Sequence, residues 1–563
     1  MSPLLSRRRS RRRSTPTHAP AIQAALQISA ADTTTLLGLT DNHRTLANLS
    51  LIYRVATLVQ VLRLSLADMQ AIGPATITNV FASPSTTLAF LQRAKTIASS
   101  GFTVDQMTYV LTTSPAKTGI TDTQVAAAIA SVIAAMQKVQ QSVYGGGDPP
   151  YTALGKQFAQ LPPSTDPTKP SLSDPTQMKT ALSIVDGSYS NGNSNGDPQR
   201  TNFINTQFAF FMSASQLANA VATLNTLATP ATGAALDARA TLVLAPLVQY
   251  LTQKQVIAAV ASALSLAADS TSYLMNTLLV PQVPPSTETL LTALTDQGLL
   301  QPAVPPAVQT AANNAIRLLY KVGGVVAQLH LVASDLAWLV PNAAVFGGAD
   351  LANLPVVTGQ ANQSIDQLLA TVLLVQLNRS FTSLLNTTLS PPPAVTSLTA
   401  LISAIASAGI TTDAAAQAAF AGISGALPAD IQALAAAMGI SFAAGDWTNL
   451  ATYNRLRTLL KMSVATNGGG AALSLWSTEA TPLTPAATSA LAALKAATPS
   501  STWLSVVQSL NDPLRQDRRD ALVAFLISQR NTGAVPWTPM PCGARTATAS
   551  STTSSSTPRC APA

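Results

Sequence analysis

The chain has 563 residues, of which 47% are apolar and only 10% are charged. Roughly 25% is usual for charged residues in soluble domains. A chain of this length can bury several cores, with about three to four domains as the prior. Low charge together with abundant alanine favours helices that pack closely against other helices.

The formal net charge of +8 comes from the two ends of the chain. Six arginines lie between Arg7 and Arg13, and Arg545 and Arg559 follow the last acidic residue, Asp520. Residues 21–530 therefore have a formal charge of zero. A neutral body lacks the basic surface with which proteins bind phosphate backbones, so nucleic acid is not an expected partner.

The positions of the cysteines and the hydropathy pattern exclude two further classes of protein. Both cysteines, Cys542 and Cys560, lie near the C-terminus, which excludes a disulfide framework, a cysteine-based zinc site and a catalytic thiol in the body. No apolar run reaches the roughly 18 uncharged residues of a spanning helix. We therefore expect no direct membrane insertion, and we predict that residues 125–136 form a buried helix.

The chain begins with a basic leader, residues 1–20, which is rich in Arg and Ser and lacks the apolar segment of a signal peptide. We predict that it is disordered, and a transit peptide or nuclear signal is the alternative. A helical subdomain follows over residues 21–144. Its main element is the segment Leu51–Met69, where Leu51, Val55, Leu58, Val59 and Leu62 recur at helical spacing.

Residues Ser65 to Asp68 then predict the N-cap of a second helix, so the unit is a helix, a tight corner and a helix. Tyr53 is predicted to pack against its partner helix and Arg54 to lie on the surface. Capping boxes are predicted at residues 103–106 and 121–124.

Three further segments and a tail complete the predicted organisation. Residues 145–200 are rich in Pro, Gly, Ser and Asn and predict a loop-rich surface insertion with one short helix near 176–185. Residues 201–300 form a second helical subdomain, in which residues 252–255 cap a new helix. Residues 301–530 form the third, and residues 531–563 are a disordered tail rich in Ser, Thr and Pro.

The opening unit returns within the third subdomain. Tyr320 matches Tyr53, Lys321 matches Arg54, and the triplet Leu329-His-Leu331 matches Leu62-Arg-Leu64. A weaker third copy starts at Tyr453. The last predicted helix begins at Asp512, with Pro513 in its first position and an apolar face formed by Leu514, Ala521, Leu522, Phe525 and Leu526.

Motifs for catalysis or ligand binding are not found. Leu154-Gly-Lys156 resembles part of a phosphate-binding loop but lacks the earlier glycine and the following hydroxyl. His330 is interpreted as a helix-surface residue, and Asp366, Asp446 and Asp520 as cap, first-turn or solvated residues. Four tryptophans are interpreted as core residues: Trp338, Trp447, Trp476 and Trp503. The sequence thus predicts an all-α, multi-helical, non-enzymatic protein with no catalytic, cofactor-binding or metal-binding residues.

Four segments, in order, resemble the A component of Tc insecticidal toxin complexes. The first is residues 48–68, and the second is residues 100–111. The third is residues 320–339, with Ser334-Asp-Leu-Ala-Trp338, and the fourth runs from Trp503 to Leu526. The resemblance covers residues 40–530 and identifies the chain as similar to the N-terminal α-helical shell of that family.

The resemblance implies a structural shell segment that takes part in toxin delivery, associates with itself and with toxin-complex components, and is secreted. In the family the A component is a homopentamer that binds the target cell and injects an enzyme carried by B and C components. The sequence stops before the family's neuraminidase-like, receptor-binding and pore-forming regions, so we expect a truncated form. The alternatives are a helical protein-interaction scaffold or a non-functional relic of a toxin gene, with an enzyme using an Asp/His site as the third reading.

Overall fold

The computed structural model describes residues 19–38, 40, 45–72, 80–113, 118–163, 171–189, 197–225, 230–382, 395–466, 468–477 and 484–531. These residues form 24 α-helices and no β-strand, which confirms the all-α prediction. The Arg-rich segment, His18, His43, Cys542 and Cys560 lie outside the described residues, so the predictions for the leader and the tail stay predictions.

The helices of the first half of the chain are α1 (Ala19–Leu26), α2 (Ala30–Gly38), α3 (Leu46–Leu62), α4 (Leu66–Ile72), α5 (Pro84–Ser100), α6 (Val104–Leu111), α7 (Asp122–Tyr144), α8 (Pro150–Gln160), α9 (Pro175–Asp186), α10 (Pro198–Gln207), α11 (Ala214–Leu224), α12 (Gly233–Leu264) and α13 (Ala268–Thr277). Those of the second half are α14 (Leu290–Leu294), α15 (Pro306–Leu329), α16 (Ala333–Asn342), α17 (Ile365–Thr382), α18 (Leu398–Ala406), α19 (Asp413–Ser424), α20 (Pro428–Met438), α21 (Leu450–Thr466), α22 (Gly469–Ser477), α23 (Thr484–Ala497) and α24 (Trp503–Asn531).

The chain divides into two compact units. The larger comprises Met1–Ile431 and Met438–Arg455, and the smaller comprises Gln432–Ala437 and Leu456–Ala563. The larger unit contains the two copies of the helix–corner–helix pattern, and the smaller contains α22, α23 and α24. The segment boundaries predicted from the sequence remain predictions.

Residues 145–200 contribute to the core, which corrects the prediction of a loop-rich surface insertion. Within the described part of this segment, α8 and α9 are regular helices, where one short helix was predicted. Phe158 and Ile184 are fully buried in a cluster with residues of α7, α10, α11 and α12. The Pro and Gly residues lie between these helices, and the apolar residues within them are enough to build a core.

Three predicted caps are present as hydrogen bonds. Thr103 and Gln106 form a reciprocal capping box before α6, and Thr121 and Gln124 form one before α7. At the start of α4, the backbone N–H of Asp68 donates to the Ser65 hydroxyl, and the Ser65 N–H donates to the Asp68 carboxylate. Local sequence alone specifies these helix starts because both partners lie within one turn.

The corner predicted at residues 62–68 and repeated at 329–335 has the same backbone in both copies. Arg63 and His330 adopt the left-handed conformation, with φ of 53° and 48°. In each copy the next leucine donates its N–H to a carbonyl five residues earlier, at 3.0 Å for Leu64 and 2.9 Å for Leu331. This is the Schellman arrangement, which ends one helix and turns the chain into the next.

Three further corners of this kind with a left-handed residue other than glycine were not recognised in the sequence. Ala408 has φ 57°, and Gly409 donates to a carbonyl five residues back at 2.8 Å. Ser265 has φ 53°, and Leu266 donates to a carbonyl five residues back at 2.9 Å. Gln27 has φ 51°, and Ile28 makes the equivalent bond at 3.4 Å. These corners are not preceded by a tyrosine followed by a basic residue. The search for repeats relied on that pair and therefore did not find them. The corners after α3, α12 and α15 bend the chain by 92°, 113° and 117°.

Two predicted helix starts are wrong. Thr252 begins no helix, because α12 runs without interruption from residue 233 to residue 264 and buries Thr252. Likewise, Asp512 and Pro513 lie inside α24, which begins at Trp503. Buried residues lie along α12 on both sides of Thr252, so tertiary packing overrides the local cap signal. Helix α24 continues through Pro513 although proline has no N–H for the helical hydrogen bond.

The predicted packing of Tyr53 is also wrong, since its side chain is 59% exposed. Of the predicted apolar face of α3, only Val55 is fully buried, and Ile52 and Ala56 are the other buried residues of this helix. The spacing identified the helix correctly but placed its buried face incorrectly.

Candidate functional site

The histidine and the aspartates that the sequence analysis considered lie on different elements of the structure. His330 is exposed and ends α15 as its left-handed cap, and not as a residue within the helix. Asp366 lies in the first turn of α17 and pairs with Arg93 at 3.1 Å. Asp446 lies in the first turn of a short 3-10 helix, and Asp520 is exposed on α24. The structure brings none of these carboxylates to His330.

The tryptophans show where aromatic packing matters. Trp447 is buried, and its indole N–H donates to the Asp413 carboxylate at 2.8 Å. It packs with Phe420 and with Tyr453, whose hydroxyl donates to the Trp447 carbonyl at 2.5 Å. Burial raises the pKa of Tyr453. The predicted core role is confirmed for Trp447.

The segment Leu154-Gly-Lys156 lies in the middle of helix α8. Its backbone N–H groups are therefore engaged in the helix and cannot cradle a phosphate. Lys156 forms an ion pair with Asp148 at 2.5 Å.

One concentration of polar chemistry in the larger unit surrounds Lys321, which the sequence did not single out as a site. Lys321 lies on α15 and is 4% exposed. Its ammonium donates to the Thr112 carbonyl at 2.8 Å, just after α6, and to the Pro355 carbonyl at 2.5 Å. The Nζ atom lies 4.8 Å from the centroid of the Tyr109 ring. Lys321 thus ties two connecting segments to α15.

Tyr109 and Tyr320 form the aromatic wall of the same site. Their rings meet edge to face, with centroids 6.0 Å apart. The backbone N–H of Ile120 donates to the Tyr109 hydroxyl at 3.3 Å. A cavity of about 240 Å³ lies beside these side chains and is also lined by Phe102, Gln106 and Gln328.

Burial dominates the electrostatics of this cleft. It lowers the pKa of Lys321 to about 8, and the positive charge of Arg317 acts in the same direction. Burial also raises the pKa of the Tyr109 hydroxyl, and the nearby Tyr320 raises it further. The hydrogen bond from Ile120 and the positive charge of Arg317 act in the opposite direction. Arg317 is itself paired with Asp122 at the start of α7.

A lysine with a lowered pKa is the usual form of an amine nucleophile. Here the geometry favours a structural role. Two carbonyl oxygens and the Tyr109 ring face the ammonium, and these partners stabilise its charged form. Attack on a substrate needs an accessible, unprotonated amine, and Lys321 is almost completely covered.

Arg239 is a second buried cation that sequence reasoning missed. Its guanidinium donates to four carbonyls at 2.7–3.2 Å: those of Ile184 and Val185 at the end of α9, and those of Thr223 and Leu224 at the end of α11. Burial and the positive charge of nearby Arg200 both lower the pKa of Arg239, whereas the negative charge of Asp186 raises it. Helix C-termini carry partial negative charge, so one guanidinium joins two helix ends to α12.

A weak sequence signal existed for both cations. Lys321 and Arg239 are each followed by a run of mostly apolar and small residues in a chain with few charges. A basic residue next to such a run is buried only if it finds oxygen partners. The partners come from other helices, and their positions cannot be read from local sequence.

Among the described residues, no group of three or more His, Cys, Asp or Glu side chains is placed to hold a metal ion. In the same part of the chain, no single helix is both long and apolar enough to cross a membrane. Three bent helix pairs would satisfy the length and composition criteria together.

No protein-family model matches this chain. A comparison with curated proteins likewise finds no match.

Proposed function

We propose that this chain is a non-enzymatic, structural segment of a Tc-toxin-like A component, with a role in the shell that takes part in toxin delivery. The observation that carries the proposal is the repeated corner. Arg63 and His330 have the same left-handed backbone and the same hydrogen bond after them. Both lie in segments whose sequences resemble the family's shell.

The chemistry of the described cations is consistent with a structural role. The side chains of Lys321 and Arg239 donate hydrogen bonds to backbone carbonyls of neighbouring elements. Such bonds join helices into a rigid body, since a buried carbonyl without a partner costs about 1–3 kcal/mol. A shell needs this kind of cross-linking between helices, and it needs no substrate pocket.

The proposal is tested by isolating the full chain from its natural source without dissociating its assemblies. We expect it to co-purify with a polypeptide that carries a pore-forming region, or with B and C components. Sequencing the flanking genes provides the matched check. A chain that purifies without such polypeptides, from a locus that encodes none, would contradict a role in toxin delivery.

A helical protein-interaction scaffold is the second candidate. It is favoured by one observation, the exposed apolar side chains of α24 in the smaller unit. This candidate predicts that a partner binds whether or not toxin components are present.

A further inference from the structure

The cleft beside Tyr109 and Tyr320 is large enough to hold a small organic molecule. Its volume is about 240 Å³, and Phe102 adds a third aromatic ring to its lining. A cavity of about 150 Å³ is sufficient to bind benzene. The cleft therefore has room for one aromatic ring and a small substituent.

Gly324 contributes an opening to this cleft that packing within the protein does not explain. It lies inside α15 without a positive φ, so its backbone conformation does not require glycine. A Cβ atom on Gly324 would meet nothing within 4 Å outside its own helix. On the neighbouring Gly323, a Cβ atom would lie 3.0 Å from the Leu266 side chain. Close packing thus accounts for Gly323 but not for Gly324.

The open space above Gly324 belongs to the cleft. Residues four apart lie on one face of a helix, so Tyr320, Gly324 and Gln328 follow one another along α15. All three line the cleft. Glycine inside a helix destabilises it relative to alanine, and one use of such a position is the close approach of a ligand to the backbone.

Two amide side chains of the cleft have complementary groups left for a ligand. Gln106 uses its amide oxygen to accept from the Thr103 N–H at 2.9 Å, which leaves its NH2 group to donate. Gln328 donates from its amide nitrogen to the Gly101 carbonyl at 2.8 Å, which leaves its oxygen to accept. A hydroxyl group both donates and accepts, so it matches this pair of amides.

The charged groups next to the cleft already have hydrogen-bond partners. The Lys321 ammonium donates to two backbone carbonyls. The Asp105 carboxylate accepts from the backbone N–H and the hydroxyl of Thr118, at 2.9 and 2.7 Å. Because these partners stabilise both charges, the cleft favours a neutral ligand over an ionic one.

We propose that this cleft binds a small neutral phenol. Its ring would lie against Gly324 and the two tyrosine rings, and its hydroxyl would form hydrogen bonds with Gln106 and Gln328. Aromatic rings prefer stacked or edge-to-face contacts with other rings, which Tyr109 and Tyr320 offer. The inference goes beyond the proposed function and does not depend on it, because it rests on the cleft alone.

The test is isothermal titration calorimetry of the full-length chain with three probes of similar size. Phenol carries both the aromatic ring and the hydroxyl, toluene lacks the hydroxyl, and cyclohexanol lacks the aromatic ring. We expect saturable binding of phenol at a single site. Toluene and cyclohexanol should each bind about tenfold more weakly.

A variant at Gly324 tests the location of the site. G324L fills the space above the helix and should bind phenol at least about tenfold more weakly. Leucine forms helices better than glycine, so G324L should unfold at the same temperature as the wild type or at a higher one. G324A, which adds a single methyl group, should give an intermediate loss of binding.

The matched control is G38L, at another helical glycine where a Cβ atom would meet nothing within 4 Å. It should bind phenol like the wild type, because Gly38 does not line the cleft. Thermal melts of every variant separate loss of binding from loss of folding.

Three results would overturn the proposal. These are the absence of saturable phenol binding, equal binding of phenol and either of the other two probes, and unchanged phenol binding by folded G324L and G324A. None of these results concerns co-purification with toxin components, so a failure here would leave the proposed function standing.

Discussion

The Tyr–Arg pair of α3 and the Tyr–Lys pair of α15 stand ten residues before equivalent corners, yet their surroundings are opposite. Tyr53 is 59% exposed, and Arg54 lies over the Phe81 ring, 5.1 Å from its centroid. Tyr320 packs on Tyr109, and Lys321 is buried against two backbone carbonyls. The same local pattern therefore serves a surface in one copy and a core in the other.

The difference comes from the neighbours of each helix. Helix α15 packs against α6, α7 and α14, whereas α3 packs mainly against α1 and α4. In α15 even a glycine is used for close contact, since a Cβ atom on Gly323 would lie 3.0 Å from the side chain of Leu266. The repeated unit thus determines the backbone of the corner. The position of each copy in the fold determines which of its side chains are buried.

Replacing the basic residue should separate the two copies most clearly. We expect K321M to lower the free energy of unfolding by about 3 kcal/mol, because it leaves the Thr112 and Pro355 carbonyls without their donor. R54M should cost less than about 0.5 kcal/mol, as usual for an exposed position. Urea denaturation followed by circular dichroism measures both. Equal losses would show that the two cations have equivalent surroundings.

Replacing the tyrosine of each pair should give a smaller difference in stability between the two copies. Y320A removes the edge-to-face contact with Tyr109 and should cost about 2 kcal/mol. Y53A should change stability by less than about 0.5 kcal/mol. Thermal melts of the two variants, compared with the wild type, test this. A larger loss for Y53A would contradict the exposed position of Tyr53.

The corner itself should respond alike in both copies. R63V and H330V place a β-branched side chain in the left-handed conformation, and each should cost about 1–2 kcal/mol. R63G and H330G are the controls, and they should be neutral or slightly stabilising because glycine adopts this conformation freely. The unfolding midpoints of the four variants report the effect. Stable valine variants would mean that the left-handed residue is not required.

The pH dependence of stability is the smallest contrast, and its sign follows from Lys321. An unfolded lysine titrates near about 10.4, and the pKa of Lys321 is about 8 when it is buried. Between these values the unfolded chain binds more protons, so the contribution of Lys321 to the free energy of unfolding rises with pH. The raised pKa of Tyr109 acts in the opposite direction above about pH 10.

The measurement compares the wild type with K321M at pH 7 and pH 9.5. We expect the stability advantage of the wild type to grow at the higher pH. R54M, compared with the wild type in the same way, should show no such trend. An advantage that shrinks with pH would reject the lowered pKa.

The all-α class, the three capped helix starts and the repeated corner could be predicted because their signals are local. The boxes at Thr103 and Thr121 place both hydrogen-bond partners within one turn. The corners at Arg63 and His330 likewise depend on a few consecutive residues. The sequence by itself determined these features, since the interactions that form them span no more than six residues.

The tertiary structure decided which faces are buried and where the candidate site lies. Thr252 has the pattern of a cap but lies inside α12, and Tyr53 has the pattern of a packed residue but faces solvent. The donors of Lys321 reach carbonyls 209 and 34 residues away, and those of Arg239 reach carbonyls 15 to 55 residues away. Burial of a charge depends on partners brought from distant parts of the chain, so only the folded arrangement could determine it.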